Sequence, residues 1–164
     1  MLNERSLLRL ESVHPRLAAM VMYVEREHPI FQVSEGLRSA ERQEQLYATG
    51  KSRTMESLHL RQSSGYAHAV DVVATGDLNH DGRIDDRDKR YTWDPKIYRQ
   101  IADWMFFAAE IWRAYIRWGG NFRNFFDGPH FELRSWSSLR DVASQEPFAH
   151  ASGKAIPGDE RAKK

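Results

Sequence analysis

A histidine and a carboxylate stand three residues apart in residues 127–133, which read Asp-Gly-Pro-His-Phe-Glu-Leu. The Gly-Pro turn between them lets both side chains converge on one metal-bound water. A catalytic zinc ion takes three protein ligands and keeps a fourth position open. We therefore consider His130 a zinc ligand and Asp127 the group just outside the coordination sphere that accepts the proton of the water. Two further ligands must come from elsewhere in the chain.

Those ligands must be histidines or carboxylates, because the sequence contains no cysteine and so excludes thiolate sites and disulfides. His59, which follows Ser57 and Leu58, and Asp71, which follows Ala69 and Val70, are candidates. Spacing alone does not select them from the other histidines and carboxylates of the chain.

A second oxygen-rich motif, residues 77–88, reads Asp-Leu-Asn-His-Asp-Gly-Arg-Ile-Asp-Asp-Arg-Asp. It matches the twelve-residue calcium loop, with oxygen ligands at positions 1, 3, 5, 9 and 12 and glycine at position 6, where the chain must turn sharply. Position 12 is an aspartate, which is shorter than the usual glutamate; the alternative is a solvated turn that binds no ion. The predicted calcium ligands are Asp77, Asn79, Asp81, Arg83 (through its backbone carbonyl), Asp85 and Asp88.

Hydrophobic periodicity predicts the first elements that must position these residues. Apolar residues at three- and four-residue spacing indicate an opening helical segment, and Pro15 suits the first turn of a second helix. A short strand is expected at 30–33. Ser39 can cap a helix over 40–48, and a polar loop at 51–65 follows.

The remaining elements complete an α+β fold. A buried strand is expected at 69–73, directly before the calcium-like loop, and Asp94-Pro95 begins the clearest helix, predicted at about 95–115. Two closing strands are expected at 115–118 and 130–133. This order predicts a small antiparallel sheet flanked by helices, with the calcium-like loop inserted.

Composition sets further limits. A chain of 164 residues with 41% hydrophobic residues suits a single domain, which we place at 1–147, followed by a small, polar and flexible C-terminal tail at 148–164. The net charge of +1 gives no basic footprint for nucleic acid. The N-terminus lacks a continuous apolar stretch and no run is long enough to span a membrane, so we expect neither a signal peptide nor a membrane span. We expect a monomer.

Four segments together resemble the LAS-type zinc peptidases. They are residues 36–43 (Gly-Leu-Arg-Ser-Ala-Glu-Arg-Gln), 57–59 (Ser-Leu-His), 69–71 (Ala-Val-Asp) and 127–133. This family includes D-alanyl-D-alanine carboxypeptidases and phage L-alanyl-D-glutamate endopeptidases, and it shares its fold with hedgehog domains. The resemblance runs in order from about Val13 to Leu133. The small size, residues 117–120 (Arg-Trp-Gly-Gly) and residues 127–133 favour the phage endolysin branch.

The resemblance implies roles for particular residues. His59, Asp71 and His130 would hold zinc, Asp127 would be the general base, and Arg38 would stabilise the developing oxyanion or clamp a substrate carboxylate. In the family the first histidine usually precedes the aspartate by seven positions, whereas here twelve separate them, which indicates a five-residue insertion within residues 61–66. His68 is therefore a rival ligand, but residues three apart on a strand point to opposite faces, which favours His59.

The function that the resemblance implies is that of an endolysin. It would hydrolyse the L-alanyl-D-glutamate bond of the peptidoglycan stem peptide with zinc, and calcium would regulate it, as in some members of that branch. The enzyme would be made in the host cytoplasm and would act on the wall in the periplasm after a holin permeabilises the membrane. One alternative is a D,D- or L,D-carboxypeptidase. The other is a non-catalytic, calcium-binding wall-binding module in which the insertion has destroyed the zinc site.

Overall fold

Residues 1–133 are described by a computed structural model, and the predicted tail at 148–164 lies outside the described residues. These residues form four α-helices and a four-stranded sheet, so the α+β prediction is confirmed. None of the helices in this part of the chain is long and apolar enough to cross a membrane. The elements are α1 (Glu4–Leu10), α2 (Pro15–Glu27), β1 (Phe31–Glu35), α3 (Ala40–Ala48), β2 (Ala69–Ala74), α4 (Pro95–Ile111), β3 (Ile116–Trp118) and β4 (His130–Leu133).

Each α-helix begins where a polar side chain accepts a hydrogen bond from a backbone N–H of the first turn, which satisfies one of the free donors there. α2 and α4 also have proline at the start of the helix, where its missing N–H costs nothing. The four capping residues are Asn3, His14, Ser39 and Asp94.

The predicted length of α4 was wrong by four residues. The helix ends at Ile111, and Arg113 adopts a left-handed backbone conformation with φ 48° that a continuing helix cannot accommodate. Tyr115, the last residue of the predicted helix, is 70% exposed. Strand β3 then begins at Ile116, four residues beyond the end of the helix.

The sheet has strand order β1-β2-β4-β3, and all neighbouring strands are antiparallel. Because side chains alternate between the faces of a strand, the register divides the sheet into two chemically different surfaces. One face is apolar and belongs to the hydrophobic core that includes residues of α2 and α4; its strand residues include Phe31, Val33, Val70, Val72, Trp118 and Phe131. The opposite face carries Asp71, Arg117, His130 and Glu132, and a register shift in β1 after Val33 brings Glu35, the cross-strand partner of Asp71, to the same face.

The long connection between α3 and β2 folds back on itself. The segment of the predicted insertion closes as a turn, with hydrogen bonds from Gln62 N to Tyr66 O (3.0 Å) and from Gly65 N to Gln62 O (2.9 Å). The base of the loop is tied by the N–H of His68, which donates to Leu58 O at 2.7 Å. The extra residues are therefore accommodated in this turn, and His59 remains beside β2.

Candidate metal centre and active site

Three side chains converge on the polar face of the sheet. Nε2 of His59 lies 3.2 Å from Oδ1 of Asp71 and 3.2 Å from Nδ1 of His130. Nδ1 of His130 in turn lies 2.9 Å from Oδ1 of Asp71. Asp71 and His130 face each other across β2 and β4, whereas His59 comes from the long loop. Within residues 1–133, this is the only group of three or more histidine or carboxylate side chains whose donor atoms lie within 4.8 Å of one another.

The spacing of these donors fits a tetrahedral metal ion. Donor atoms about 2.0–2.1 Å from zinc would lie roughly 3.3–3.4 Å from one another. The observed distances of 2.9–3.2 Å are close to that value, so small movements of the side chains would admit the ion. Two imidazoles and one carboxylate are also a ligand set that zinc peptidases use.

The second nitrogen of each histidine ring faces an acceptor. Nδ1 of His59 lies 2.8 Å from the carbonyl oxygen of Gly36, and Nε2 of His130 lies 2.9 Å from Oε2 of Glu132. Since these oxygens only accept, the outer nitrogen of each ring carries a proton, and a metal ion would take the place of any proton on the inner nitrogens. Metal-binding histidines usually have such partners.

The electrostatic surroundings favour a positive charge among the three donors. Burial alone would raise the pKa of Asp71, but hydrogen bonds from His130 and His59 hold it well below its usual range. Burial likewise opposes a charge on His130, yet hydrogen bonds to Asp71 and Glu132 outweigh it and raise its pKa to about 9. The anionic groups that attract a proton here would equally attract a metal ion.

Asp127 is held beside these donors by the turn that precedes β4. Its N–H donates to Gly119 O at 3.1 Å, and its carbonyl accepts from His130 N at 3.3 Å. Trp118 Nε1 donates to Gly128 O at 2.7 Å and fixes the same turn from the core side. Burial raises the pKa of the Asp127 carboxyl despite the opposing influence of His130. A carboxylate with a raised pKa is a stronger base than one in water.

Arg38 reaches the site from the loop after β1. Its guanidinium pairs with the Glu35 carboxylate, donates to Gln43 Oε1 at 2.7 Å and lies 4.0 Å from Oδ2 of Asp71. Gln43 is completely buried and donates in turn to Thr54 O at 2.6 Å. The contacts of Gln43 make it the link between α3, Arg38 and the long loop.

His68, the rival ligand, lies elsewhere. Its Nε2 contacts Ser64 Oγ at 2.7 Å, and its ring packs edge-on against His14 with centroids 5.2 Å apart. Both histidines are almost fully buried. The structure therefore brings His59, and not His68, together with Asp71 and His130.

The donors line a cleft of about 1060 Å³. Its walls come from the long loop and from the segment between β3 and β4, which meet where the Arg53 guanidinium lies 4.6 Å above the ring of Phe125. Besides Arg38 and Arg117, four basic side chains contribute to the lining: Arg42, Lys51, Arg53 and Arg123. A cleft of this size can hold an extended peptide.

The calcium-like loop turns as its sequence predicts. Gly82 has φ 81°, a conformation that favours glycine, and the Asp77 carboxylate accepts from the N–H groups of Asp81 and Gly82 at 3.0 and 2.9 Å. Asp88 is buried, and its carboxylate accepts from three backbone N–H groups of the loop, those of Leu78, Asn79 and Asp85.

The loop's carboxylates have protein partners in this conformation. Arg87 pairs with Asp81 at 2.8 Å and with Asp85 at 2.7 Å, so a guanidinium supplies positive charge within the loop. Among the residues described, no three carboxylates of the loop converge as closely as the donors of the zinc candidate. The calcium ligands Asp77, Asn79, Asp81, Arg83, Asp85 and Asp88 thus remain a prediction.

Glu132 and the carbonyl of Gly36 contact the proposed ligands, and neither was assigned a role from the sequence. The signal for Glu132 was the alternation of polar and apolar residues in 130–133, which places its side chain on the face of His130. No local pattern marks Gly36, because its role depends on contact with a loop 23 residues away.

Comparisons with known proteins identify the family of this chain. The sequence profile of the family described as phage L-alanyl-D-glutamate peptidase matches residues 1–134. The crystal structure of Serratia marcescens L-Ala D-Glu endopeptidase ChiX is similar with a TM-score of 0.65 and 35% sequence identity, covering 87% of this chain and 93% of that chain. No match was found among curated proteins. The family resemblance is thereby confirmed: this chain belongs to the phage L-alanyl-D-glutamate peptidase family.

Proposed function

We propose that this protein is a zinc-dependent peptidoglycan endopeptidase that hydrolyses the bond between L-alanine and D-glutamate in the stem peptide. The observation that carries the proposal is the convergence of His59, Asp71 and His130 beside Asp127 in a large open cleft. Membership of the phage L-alanyl-D-glutamate peptidase family and similarity to a solved L-Ala D-Glu endopeptidase support the choice of bond.

In the proposed mechanism, His59, Asp71 and His130 would hold the ion. Zinc bound there would supply a Lewis acid, which polarises a carbonyl and makes water more acidic. Asp127 accepts the proton of the attacking water and then passes it to the leaving amine. The raised pKa of Asp127 suits the first step, because a more basic carboxylate accepts the proton of water more readily.

Arg38 is the proposed stabiliser of negative charge on the substrate. Its pairing with Glu35 and its hydrogen bond to Gln43 fix the orientation of the guanidinium, and a charge that needs no reorientation stabilises a transition state better. Because these partners occupy much of the guanidinium, we favour the oxyanion role over a clamp on a substrate carboxylate. The basic side chains of the cleft, such as Arg53 and Arg123, are better placed to meet the carboxylates of the stem peptide.

Calcium regulation is the second part of the proposal. Its support is the twelve-residue ligand spacing and the turn at Gly82. Binding would require Asp81 and Asp85 to exchange Arg87 for the ion, and the loop follows β2, which carries Asp71, after only two residues. We expect Asp81→Ala to lower activity without abolishing zinc binding. Full activity of that variant, after chelator treatment and reconstitution with zinc alone, would exclude the regulatory role.

For access to the wall, we propose that a holin opens the inner membrane, as expected of an endolysin. The decisive experiment digests purified Gram-negative peptidoglycan with the zinc-loaded protein, with His130→Ala in parallel, and identifies the products by mass spectrometry. Peptides that begin at D-glutamate, released by wild type alone, are the expected result. Loss of terminal D-alanine only would indicate a carboxypeptidase, and absence of both products and zinc would indicate a binding module.

A further inference from the structure

Two charged residues outside the proposed ligand set are joined to His130. Glu132 is buried on β4, with one carboxylate oxygen 2.9 Å from Nε2 of His130 and the other paired with the guanidinium of Arg117 on β3. Arg117 also lies 4.8 Å above the ring of Phe122, whose centroid is 5.8 Å from that of His130. Arg117 is thus held by both a carboxylate and an aromatic ring of the site.

The sheet register explains why these residues meet. Glu132 follows His130 by two positions and so shares its face, and Arg117 is the cross-strand partner of Glu132. Asp71 is the cross-strand partner of His130 on the other side. A row of alternating charge therefore crosses three strands, with the imidazole between two carboxylates.

A buried carboxylate needs such partners, because burial of an unpaired charge costs several kcal/mol. Arg117 alone would satisfy that need, since its planar guanidinium can bind both carboxylate oxygens. Instead, one oxygen of Glu132 faces the ring of His130. The arrangement thus does more than neutralise Glu132: it fixes the plane of the imidazole and keeps the proton on Nε2, so that Nδ1 faces Asp71 and His59.

We propose that Glu132 is a positioning residue that orients His130 for metal binding, and that Arg117 holds Glu132 in place. The inference rests on the zinc site of the proposed function. Partners of this kind typically change metal affinity by about 10–100-fold when they are removed. Removing Glu132 should therefore weaken zinc binding while the three ligands remain in the chain.

The test measures the zinc dissociation constant of the full chain by competition with a chromogenic chelator. Glu132→Met, which retains the bulk of the side chain without the acceptor, should raise that constant about 10–100-fold. Glu132→Gln should raise it less, because its oxygen still accepts from His130. Arg117→Met should also raise the dissociation constant less. It frees the Glu132 carboxylate, which weakens zinc binding, but it also removes a positive charge beside the ion, which strengthens it. The control is Glu25→Gln, at a buried carboxylate that pairs with the N-terminal amine, and it should leave the zinc dissociation constant unchanged.

A second readout separates orientation from simple stabilisation. Side-chain 15N spectra report which imidazole nitrogen carries the proton, and His130 should be protonated at Nε2 in the zinc-loaded wild type and lose that preference in Glu132→Met. If Glu132→Met does not fold, the half-exposed Arg117 and the conservative Glu132→Gln provide the same comparison.

The outcomes distinguish this inference from the proposed function. Wild type that binds no zinc would overturn the metal site itself, and the inference with it. Wild type that binds zinc, with variants whose affinity and tautomer are unchanged, would overturn only the role of Glu132 and Arg117. In that case a lower unfolding midpoint would assign Glu132 a purely structural role.

Discussion

Gly119 lies against Asp127, the proposed general base, and Gly119→Ala tests whether it sets the position of that residue. A β-carbon at this residue would lie 2.4 Å from the carbonyl oxygen of Asp127, 2.9 Å from its β-carbon and 3.0 Å from that of His130. Contacts of a β-carbon shorter than 3.0 Å essentially never occur, and the first of these atoms belongs to backbone, which cannot rotate away. The turn that carries Asp127 must therefore move.

The required movement is at least about 0.6 Å, and a misplacement of about 1 Å can lower the rate about 100-fold. We expect kcat/KM on purified peptidoglycan to fall about 10- to 100-fold. The overpacking should also cost about 1–3 kcal/mol in the free energy of unfolding. Zinc affinity should change less than activity, because the two atoms closest to the new methyl group belong to Asp127 and not to a proposed ligand.

The assay compares activity, zinc affinity and urea unfolding of Gly119→Ala with those of Ala102→Val. Ala102 is buried in α4, so its enlargement also overpacks the core but does not involve the turn at Asp127. If Gly119→Ala folds, binds zinc and retains wild-type activity, the position of Asp127 is not set by Gly119. Equal losses of activity in both variants would also refute the reasoning, because stability alone would then explain them.

Three further predictions follow from individual contacts. Asp127→Asn should lower kcat by about 10²–10⁴-fold on the same substrate with little change in the zinc dissociation constant, since it removes the base but no ligand. Gln43→Ala should lower the free energy of unfolding by about 1–3 kcal/mol, because Arg38 and Thr54 each lose a hydrogen-bond partner that is buried. The control is Gln45→Ala at an exposed position of the same helix, which should have little effect. The pKa of His14 is lowered from 6.5 to about 4 by burial and by the nearby His68 and Arg16. Because the unfolded chain then binds the proton more readily, the free energy of unfolding should fall as the pH drops from 6.5 towards 4. His14→Asn, which can still cap α2, should flatten that dependence in urea titrations; an unchanged pH profile would contradict it.

Much of the fold is encoded locally. Ser39 and Asp94-Pro95 mark helix starts through hydrogen bonds within their own first turns, and α3 and β4 have the predicted bounds. The end of α4 was not predictable in the same way. Apolar spacing continues to Tyr115, but the left-handed Arg113 and the pairing of β3 with β4 end the helix earlier. Tertiary pairing overrode a local pattern there.

The residues of the candidate site were predictable only where they lie on one strand or match the family's motif. Period-2 alternation placed His130 and Glu132 on one face of β4, and the family resemblance supplied the ordered set of candidates. The choice between His59 and His68 depended on how a long loop folds. The turn within residues 61–66 leaves His59 near the sheet and directs His68 towards His14, and no spacing rule specifies such a turn.

By itself, the sequence determined the types of the elements, the polar and apolar faces of the strands, and the family. These depend on residues that are neighbours along the chain or recur at a fixed period. Only the tertiary structure decided which side chains meet: His59 and His130 are 71 positions apart, and Gly36 and His59 are 23 apart. Such contacts arise from packing of the sheet, the long loop and the Asp127 turn against one another, which no local pattern encodes.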